Sequence, residues 1–243
     1  MRKYDCRANI KSALEYLRPP ESITVSEWAE KYRILDNRTS AEPGPWSNER
    51  TPYLKGIMDE FTNYETEEII LVKATQIGGT EALLNMLGYV IQQDPSPTEI
   101  VYPTETLAES VSSKRLKPMI EACEPLRKKY DANSPMLELN FSDMFVKLVG
   151  SNSPSGLASF AMKYLFIDEI DKFPGASKKE ADPVSLAEER TKTFRGRKIF
   201  KTSTPTIRTG HIWKARENAD AEKHYFIPCP HCGEFIELKF ANL

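Results

Sequence analysis

No stretch of this 243-residue chain is apolar for anything near the roughly 20 residues that span a bilayer. Met1–Leu14 carries no long apolar stretch of the kind that directs secretion. Neither sign of charge dominates: 33 Lys and Arg against 35 Asp and Glu leave a formal net charge of -2. A nucleic-acid footprint spread over the whole chain is therefore excluded, and any such surface must be local. Four cysteines are too few for a disulfide framework in a chain of this size. Two of them, Cys229 and Cys232, stand instead at metal-site spacing, which fits a reducing compartment. Internal repeats and low-complexity segments are also lacking. What is present is 40% apolar residues, enough core for one large domain or a domain with an appendage.

Residues 1–45 read as a helical and loop segment. "SALEYLRPP" is a short helix stopped by Pro19 and Pro20, and "TVSEWAEKYRIL" a second one with Ser26 as candidate cap. A Pro- and Gly-rich loop follows, carrying Trp46 and Tyr53, and "LKGIMDEF" is helical. Over residues 46–222 strands and helices alternate. "EIILVKA", "TEIVYP", "KYLFID" and "GRKIFKTSTP" read as strands, and "MLELNF" and "MFVKLVG" as a hairpin about Ser142-Asp143. The helices between them are "TEALLNMLGYVIQQ", one near "TETLAESV" with a Thr106/Glu109 capping box, "DPVSLAEERTKTF" and "GHIWKARENA". Short apolar strands alternating with amphipathic helices predict an α/β fold, a mainly parallel sheet sandwiched by helices, with ligands at the carboxyl ends of the strands. Residues 223–243 change character: two short β-like runs flank a zinc-knuckle-like cysteine pair.

Three polar motifs fall at strand ends. "KATQIGGTEA" turns from a strand through Gly78 and Gly79 into a helix opened by Thr80. Backbone N–H groups at such a turn can cradle phosphates, and a hydroxyl opening the helix can hold magnesium. The residue before the hydroxyl, usually lysine, is Gly79, and the nearest lysine is Lys73; an ordinary strand–turn–helix fits the same stretch. "YLFIDEID" ends a buried strand on Asp168 and Glu169. The first can hold magnesium through water and the second can polarise an attacking water, or both can be solvated acids. "KTSTPT" ends another strand, where Thr202, Ser203 and Thr204 can sense a phosphate or simply cap a turn before Pro205.

In this order the motifs resemble a known family. "EPGPWSNERTPYLKGIMD", "VKATQIGGTE", "YPTETLAESVSSKRLKPMI", "YLFIDEIDKFP", "RTKTFRGRKIFKTSTPT" and "YFIPCPHCGE" are similar to the large subunit of tailed-phage DNA-packaging terminases of the GpA type. The resemblance implies a P-loop NTPase of RecA/ASCE-like fold that hydrolyses ATP to move double-stranded DNA into a procapsid. A metal-dependent nuclease domain is expected beyond residue 243. It implies a deviant loop whose lysine lies upstream, at Lys73. Thr75, Gln76, Ile77, Gly78, Gly79, Thr80 and Glu81 would cradle ATP. Thr80 and Asp168 would hold Mg2+, Glu169 would act on water, and Thr202, Ser203 and Thr204 would couple nucleotide state to DNA. Expected partners are double-stranded DNA, a small terminase subunit, a portal protein and further copies in a ring, all in the host cytoplasm. Two departures stand out. Tyr53 is followed by Leu54 where many relatives have glutamine, so adenine contact would fall to stacking by Tyr53 or Trp46. Thr75 stands where many carry arginine, so a charge-stabilising arginine would come from elsewhere or from a neighbouring subunit. The rival readings are a helicase-like nucleic-acid remodelling ATPase and a non-catalytic zinc-ribbon DNA-binding module.

Two further features are local. From Arg190 to Arg216 nine Lys or Arg occur with no acid, a candidate surface for DNA or ATP phosphates; Arg190, Arg195 and Arg197 are candidates for a γ-phosphate or a neighbouring subunit's nucleotide. Cys229 and Cys232 are candidate Zn2+ ligands, a set left incomplete unless His231, another chain or residues beyond 243 contribute.

Overall fold

The computed structural model describes residues 21–174 and 182–237. The helix expected in "SALEYLRPP" and the cysteine at position 6 lie outside them. The first described helix, α1 (Val25–Tyr32), is capped by Thr24 rather than Ser26. The Thr24 side chain accepts from the Glu27 N–H, and Glu27 reaches back to the Thr24 N–H. Ser26 instead gives its hydroxyl to Asp59 at 2.9 Å. Next come the two-residue strands β1 (Ile34–Leu35) and β2 (Gly44–Pro45), and α2 (Pro52–Glu60), which starts on a proline as helices readily do.

The central sheet has six strands in the order β3-β8-β7-β4-β6-β5. These are β3 (Glu68–Val72), β4 (Thr98–Tyr102), β5 (Glu138–Asn140), β6 (Phe145–Gly150), β7 (Tyr164–Asp168) and β8 (Lys198–Ser203). All neighbours pair in parallel except β5, which runs antiparallel to β6 through the expected hairpin. Parallel neighbours need crossovers, and these carry α3 (Gly79–Gln93), α4 (Glu105–Val111), a π turn at Ser112–Leu116, α5 (Lys117–Ala122), α6 (Glu124–Arg127), α7 (Pro154–Leu157) and α8 (Pro183–Glu189), while α9 (His211–Glu217) follows the last strand of the sheet. The cap of α4 is Thr104, whose side chain accepts from the Leu107 N–H, and not Thr106. In both misplaced caps a second hydroxyl two residues on offers a similar local pattern, and the chain's entry angle decides between them.

Residue alternation on the strands builds two cores. Ile100, Tyr102, Phe166 and Phe200 face α1, α2 and α3. Val101, Leu165, Ile167 and Ile199 face Leu157 of α7, Val184 and Ala187 of α8 and Ile212 of α9. Helices therefore cover both faces of the sheet, as the sequence predicts. Cys123 packs in the first of these cores. No described helix is long and apolar enough to cross a membrane.

The basic stretch Arg190–Arg216 does not form one cationic surface. Lys201 is buried between Glu68 and Glu188, each at 2.6 Å. Lys198 donates to the carbonyls of Asn63 and Thr66, Arg197 pairs with Glu67, Lys192 with Glu189 and Arg216 with Glu222. The neutralising acids all come from outside the stretch, so its sequence alone reads as unpaired charge.

One buried acid has no such partner. Glu99 of β4 is nearly inaccessible, and one carboxylate oxygen lacks a hydrogen bond. Burial outweighs the charges of Lys147 and Arg190 and lifts the group from its ordinary 4.5 to about 8. The folded state thus holds this proton more tightly than the unfolded chain. Its contribution to stability is complete below about pH 4.5 and is lost as pH rises toward about 8. Melting temperature measured from pH 5 to pH 9 should fall over that interval. Glu99→Gln, which cannot ionise, should flatten the fall; an unaltered profile in the variant would assign the dependence to other groups.

Candidate functional site

β8 lies between β3 and β7, so the carboxyl ends of three strands carry the three polar motifs side by side. The turn after β3 leaves the sheet at Lys73, whose N–H donates to the Ser203 carbonyl at 3.1 Å. Gln76 then takes φ 60 and Gly78 φ 82. Left-handed backbone is strained for Gln and natural for Gly. The two turn the chain so that α3 begins at Gly79 without a side-chain cap. The free N–H groups of a 15-residue helix and of a curled loop thereby open on one hollow.

The displaced lysine has a structural counterpart. Lys73 is buried, 7% exposed, and its ammonium sits 2.9 Å from Glu169 Oε1. A Cβ added at Gly79 would lie 2.5 Å from Lys73 Cδ and 2.8 Å from Cε. The lysine stem runs through the space that a side chain at position 79 would occupy. Lys73 is thus part of the packed interior.

Asp168 and Glu169 diverge at the tip of β7. Thr80 Oγ1 donates to Asp168 Oδ2 at 3.0 Å, joining the helix opening to the acidic strand. Asp168 is 3% exposed, and its other oxygen, Oδ1, has no partner. Burial, reinforced by the neighbouring Glu169 charge, pushes this carboxyl up despite the Thr80 hydrogen bond and the Lys73 charge. A buried carboxylate with a free oxygen beside a hydroxyl fits a hydrated divalent cation, so Thr80 and Asp168 suit Mg2+. Burial alone would raise Glu169, but hydrogen bonds from Lys73 and Lys172 and their charges outweigh it and hold the group below its ordinary value. Glu169 itself sits in the left-handed region at φ 55, ψ 43.

The remaining expected residues separate. Thr202 Oγ1 is buried without a partner and lies 3.3 Å from a Cβ built on Gly79. Ser203 Oγ accepts from the Asp171 N–H at 3.2 Å and donates to the Thr204 carbonyl. Tyr53 gives its hydroxyl to the Ile77 carbonyl of the loop at 3.0 Å and lies edge-on to Tyr225, with centroids 6.0 Å apart. Trp46 does not join it. That ring is 7% exposed within the core and its indole N–H is bound to Asn48 Oδ1 at 2.8 Å, so no face is open to a base. Glu81 faces away from the loop and pairs with the buried Arg33 at 2.8 Å, with Arg115 at 3.9 Å. Arg197 joins Glu67 just before β3, and the Arg190 carbonyl accepts from Met162 just before β7. Both therefore lie at the amino ends of the strands, about 17 Å of strand from this chain's own loop.

Sequence reasoning missed Asp171, Arg33 and Tyr102. Asp171 is the third acid of "DEID", a visible signal; the burial of Arg33 and of the unpartnered Tyr102 hydroxyl is not written locally. The cysteine pair closes a turn between β9 (Phe226–Pro228) and β10 (Phe235–Glu237), where the Cys229 N–H donates to the Glu234 carbonyl. Backbone hydrogen bonds from Cys232 and His231 lower the Cys229 thiol. Among the described residues no group of three or more metal-ligating side chains forms around the pair.

Comparison with known proteins agrees with this geometry. The family model for the phage terminase large subunit gpA, ATPase domain, matches residues 40–243. The large terminase subunit of Enterobacteria phage P21 is 27% identical over 231 residues, 92% of this chain and 36% of that protein. That of Escherichia phage lambda is 25% identical over 241 residues, 96% of this chain and 37% of that protein. The chain thus spans little more than a third of these curated relatives. The crystal structure of the HK97 bacteriophage large terminase matches 74% of this chain and 38% of that one at a TM-score of 0.60 and 13% identity, a likeness of fold. The chain belongs to the ATPase-domain family of the phage terminase large subunit gpA.

Proposed function

We propose that the chain is the ATP-hydrolysing motor part of a viral terminase, using phosphoryl transfer to water to move double-stranded DNA into a procapsid. One observation carries the reading. Lys73 and Thr80, from the loop and its helix, meet Glu169 and Asp168 on a strand almost a hundred residues away, across an interposed β8. That interposed strand supports the RecA/ASCE-like assignment. Family membership supports the same cargo and partners: DNA, a small terminase subunit, a portal protein and a ring of copies in the host cytoplasm.

The resting ion pair suggests how the residues share the work. Lys73 keeps Glu169 ionised in the absence of nucleotide. A triphosphate seated against the N–H groups of residues 75–81 competes for the ammonium. As Lys73 turns to the phosphates, Glu169 keeps only the exposed Lys172 as counter-charge and becomes a stronger base, positioned to orient and deprotonate water. Mg2+, when bound at Thr80 and Asp168, would neutralise charge on the phosphate oxygens. Tyr53, anchored on the loop, supplies an aromatic face for adenine.

The two acids should fail differently. Glu169→Gln should keep nucleotide affinity while single-turnover hydrolysis drops about 10²-fold or more, the scale of a lost general base. Asp168→Asn should also weaken binding that depends on magnesium. Near-normal turnover in Glu169→Gln would remove that residue from catalysis.

Because Lys73 is buried, its removal should touch stability as well as chemistry. Lys73→Ala should melt lower than the parent, since it opens a gap beside Gly79 and strands Glu169. Lys73→Met keeps the stem and should melt closer to the parent, yet lose turnover by a similar factor, on the order of 10²-fold or more. ATP turnover beside a thermal melt separates the effects; parental turnover in Lys73→Met would show that the ammonium is dispensable.

A further inference from the structure

The acidic run that ends β7 carries a third carboxylate, and its bonds lead away from the nucleotide hollow. Asp171 lies in the 3₁₀ turn Ile170–Lys172, two residues beyond Glu169. Its N–H donates to Ser203 Oγ at the end of β8, at 3.2 Å. Its Oδ2 accepts from the N–H and hydroxyl of Thr206, at 2.8 and 3.1 Å. Its Oδ1 accepts from the Ile212 N–H in the first turn of α9, at 2.8 Å. Gly210 packs so closely that a Cβ there would lie 2.5 Å from Asp171 Oδ2. One side chain thus holds the segment after β8 and the start of α9 together, one turn of backbone from the residue that meets Lys73.

The chain beyond α9 returns to the other side of the hollow. Lys223 pairs with Glu60 at the end of α2, and Tyr225 lies edge-on to Tyr53. Hydrogen bonds from Lys223 and Thr66 hold the Glu60 carboxyl at about 2. Tyr53 in turn donates to the Ile77 carbonyl of the loop. Residues 204–225 therefore form a strap fastened at one end next to the acidic pair and at the other next to the phosphate loop. Ile212 anchors its middle in the core under the sheet.

We infer that Asp171 is a positioning residue that links the Glu169 turn to α9, and that α9 with the segment to Tyr225 is the element that responds when the nucleotide site fills. The inference rests on the nucleotide reading given above. Rearrangement of Glu169 on losing Lys73 must pass through Ile170 to Asp171, because the intervening backbone is one tight turn. Asp171 cannot shift without loosening its hydrogen bonds to Thr206 and Ile212. Ser203, the expected coupling residue, then acts as the hinge seat of Asp171 and not as the output itself.

The test is amide hydrogen exchange with and without the slowly hydrolysed analogue ATPγS plus magnesium, with affinity titrated in parallel. In the parent chain, exchange over residues 204–217 should change roughly tenfold when the analogue binds. Asp171→Ala should abolish that change while affinity stays within about threefold of the parent. Asp171→Asn keeps a single carbonyl acceptor in place of two carboxylate oxygens and should retain one arm only, with the response reduced by about half or more. If the alanine variant does not fold, the asparagine variant decides alone. A full response in either variant, or no response in a parent chain that binds the analogue, would overturn the inference. A parent chain that does not bind the analogue would overturn the nucleotide reading and this inference with it.

Discussion

The buried contact between Lys73 and Glu169 is the constraint around which the carboxyl edge of the sheet is arranged. Its partners leave adjacent layers of sequence, one from the end of β3 and one from the end of β7, and β8 must lie between them for the reach to be right. A lysine this buried is tolerated only beside a carboxylate, since alone it would be an uncompensated charge. The pair also explains the residue that first looked like a deficiency. Gly79 stands where a loop lysine is usual because the stem of Lys73 fills the volume beside it. The charge is kept and only its point of attachment moves, so the glycine is a packing requirement of the displaced lysine.

The two ends of the strands differ in their polar groups, although Glu99 and Arg190 near the amino ends also keep an unpartnered atom each. Toward the amino ends, Lys198, Arg197 and the Lys201–Glu68–Glu188 cluster bind protein partners on nearly every side. At the carboxyl ends, Asp168 Oδ1, Thr202 Oγ1 and the Tyr102 hydroxyl are buried with none. Burial of an unpaired polar atom costs about 1–3 kcal/mol. Three together at one edge, next to a loop of free N–H groups, are what supports the proposal of a ligand there. Mid-strand polar groups hold the sheet, and strand-end groups are left for a ligand.

Much of this was legible in the chain. Apolar runs such as "YLFID" give strands because alternate residues must face two cores, and each run stops where a carboxylate or hydroxyl begins. The loop, the acidic pair and the hydroxyl strand end were found because their chemistry is local. What escaped depended on distant partners. The basic stretch looked free because Glu67 and Glu68 lie more than a hundred residues earlier. Trp46 looked available because a tryptophan in a proline-rich loop gives no sign that Asn48 and the α1 layer enclose it. Thr24 and Thr104 were passed over for hydroxyls two residues later, since a cap is fixed by where the backbone bends and not by composition.

A single strained residue distributes the acids. Glu169 adopts the left-handed region, which costs a non-glycine residue about 1–3 kcal/mol and persists only where surroundings impose it. Had β7 continued in extended form, Asp168 and Glu169 would alternate across the sheet and Asp171 would share the face of Glu169. The reversal at Glu169 sends the three carboxylates in three directions instead. Asp168 turns to Thr80 on the helix that opens the loop, Glu169 to the lysine that closes β3, and Asp171 to the N–H groups of Thr206 and Ile212. In the proposed reading, metal, water and output would meet at this one turn of backbone, and the strain at Glu169 is the physical condition for that arrangement.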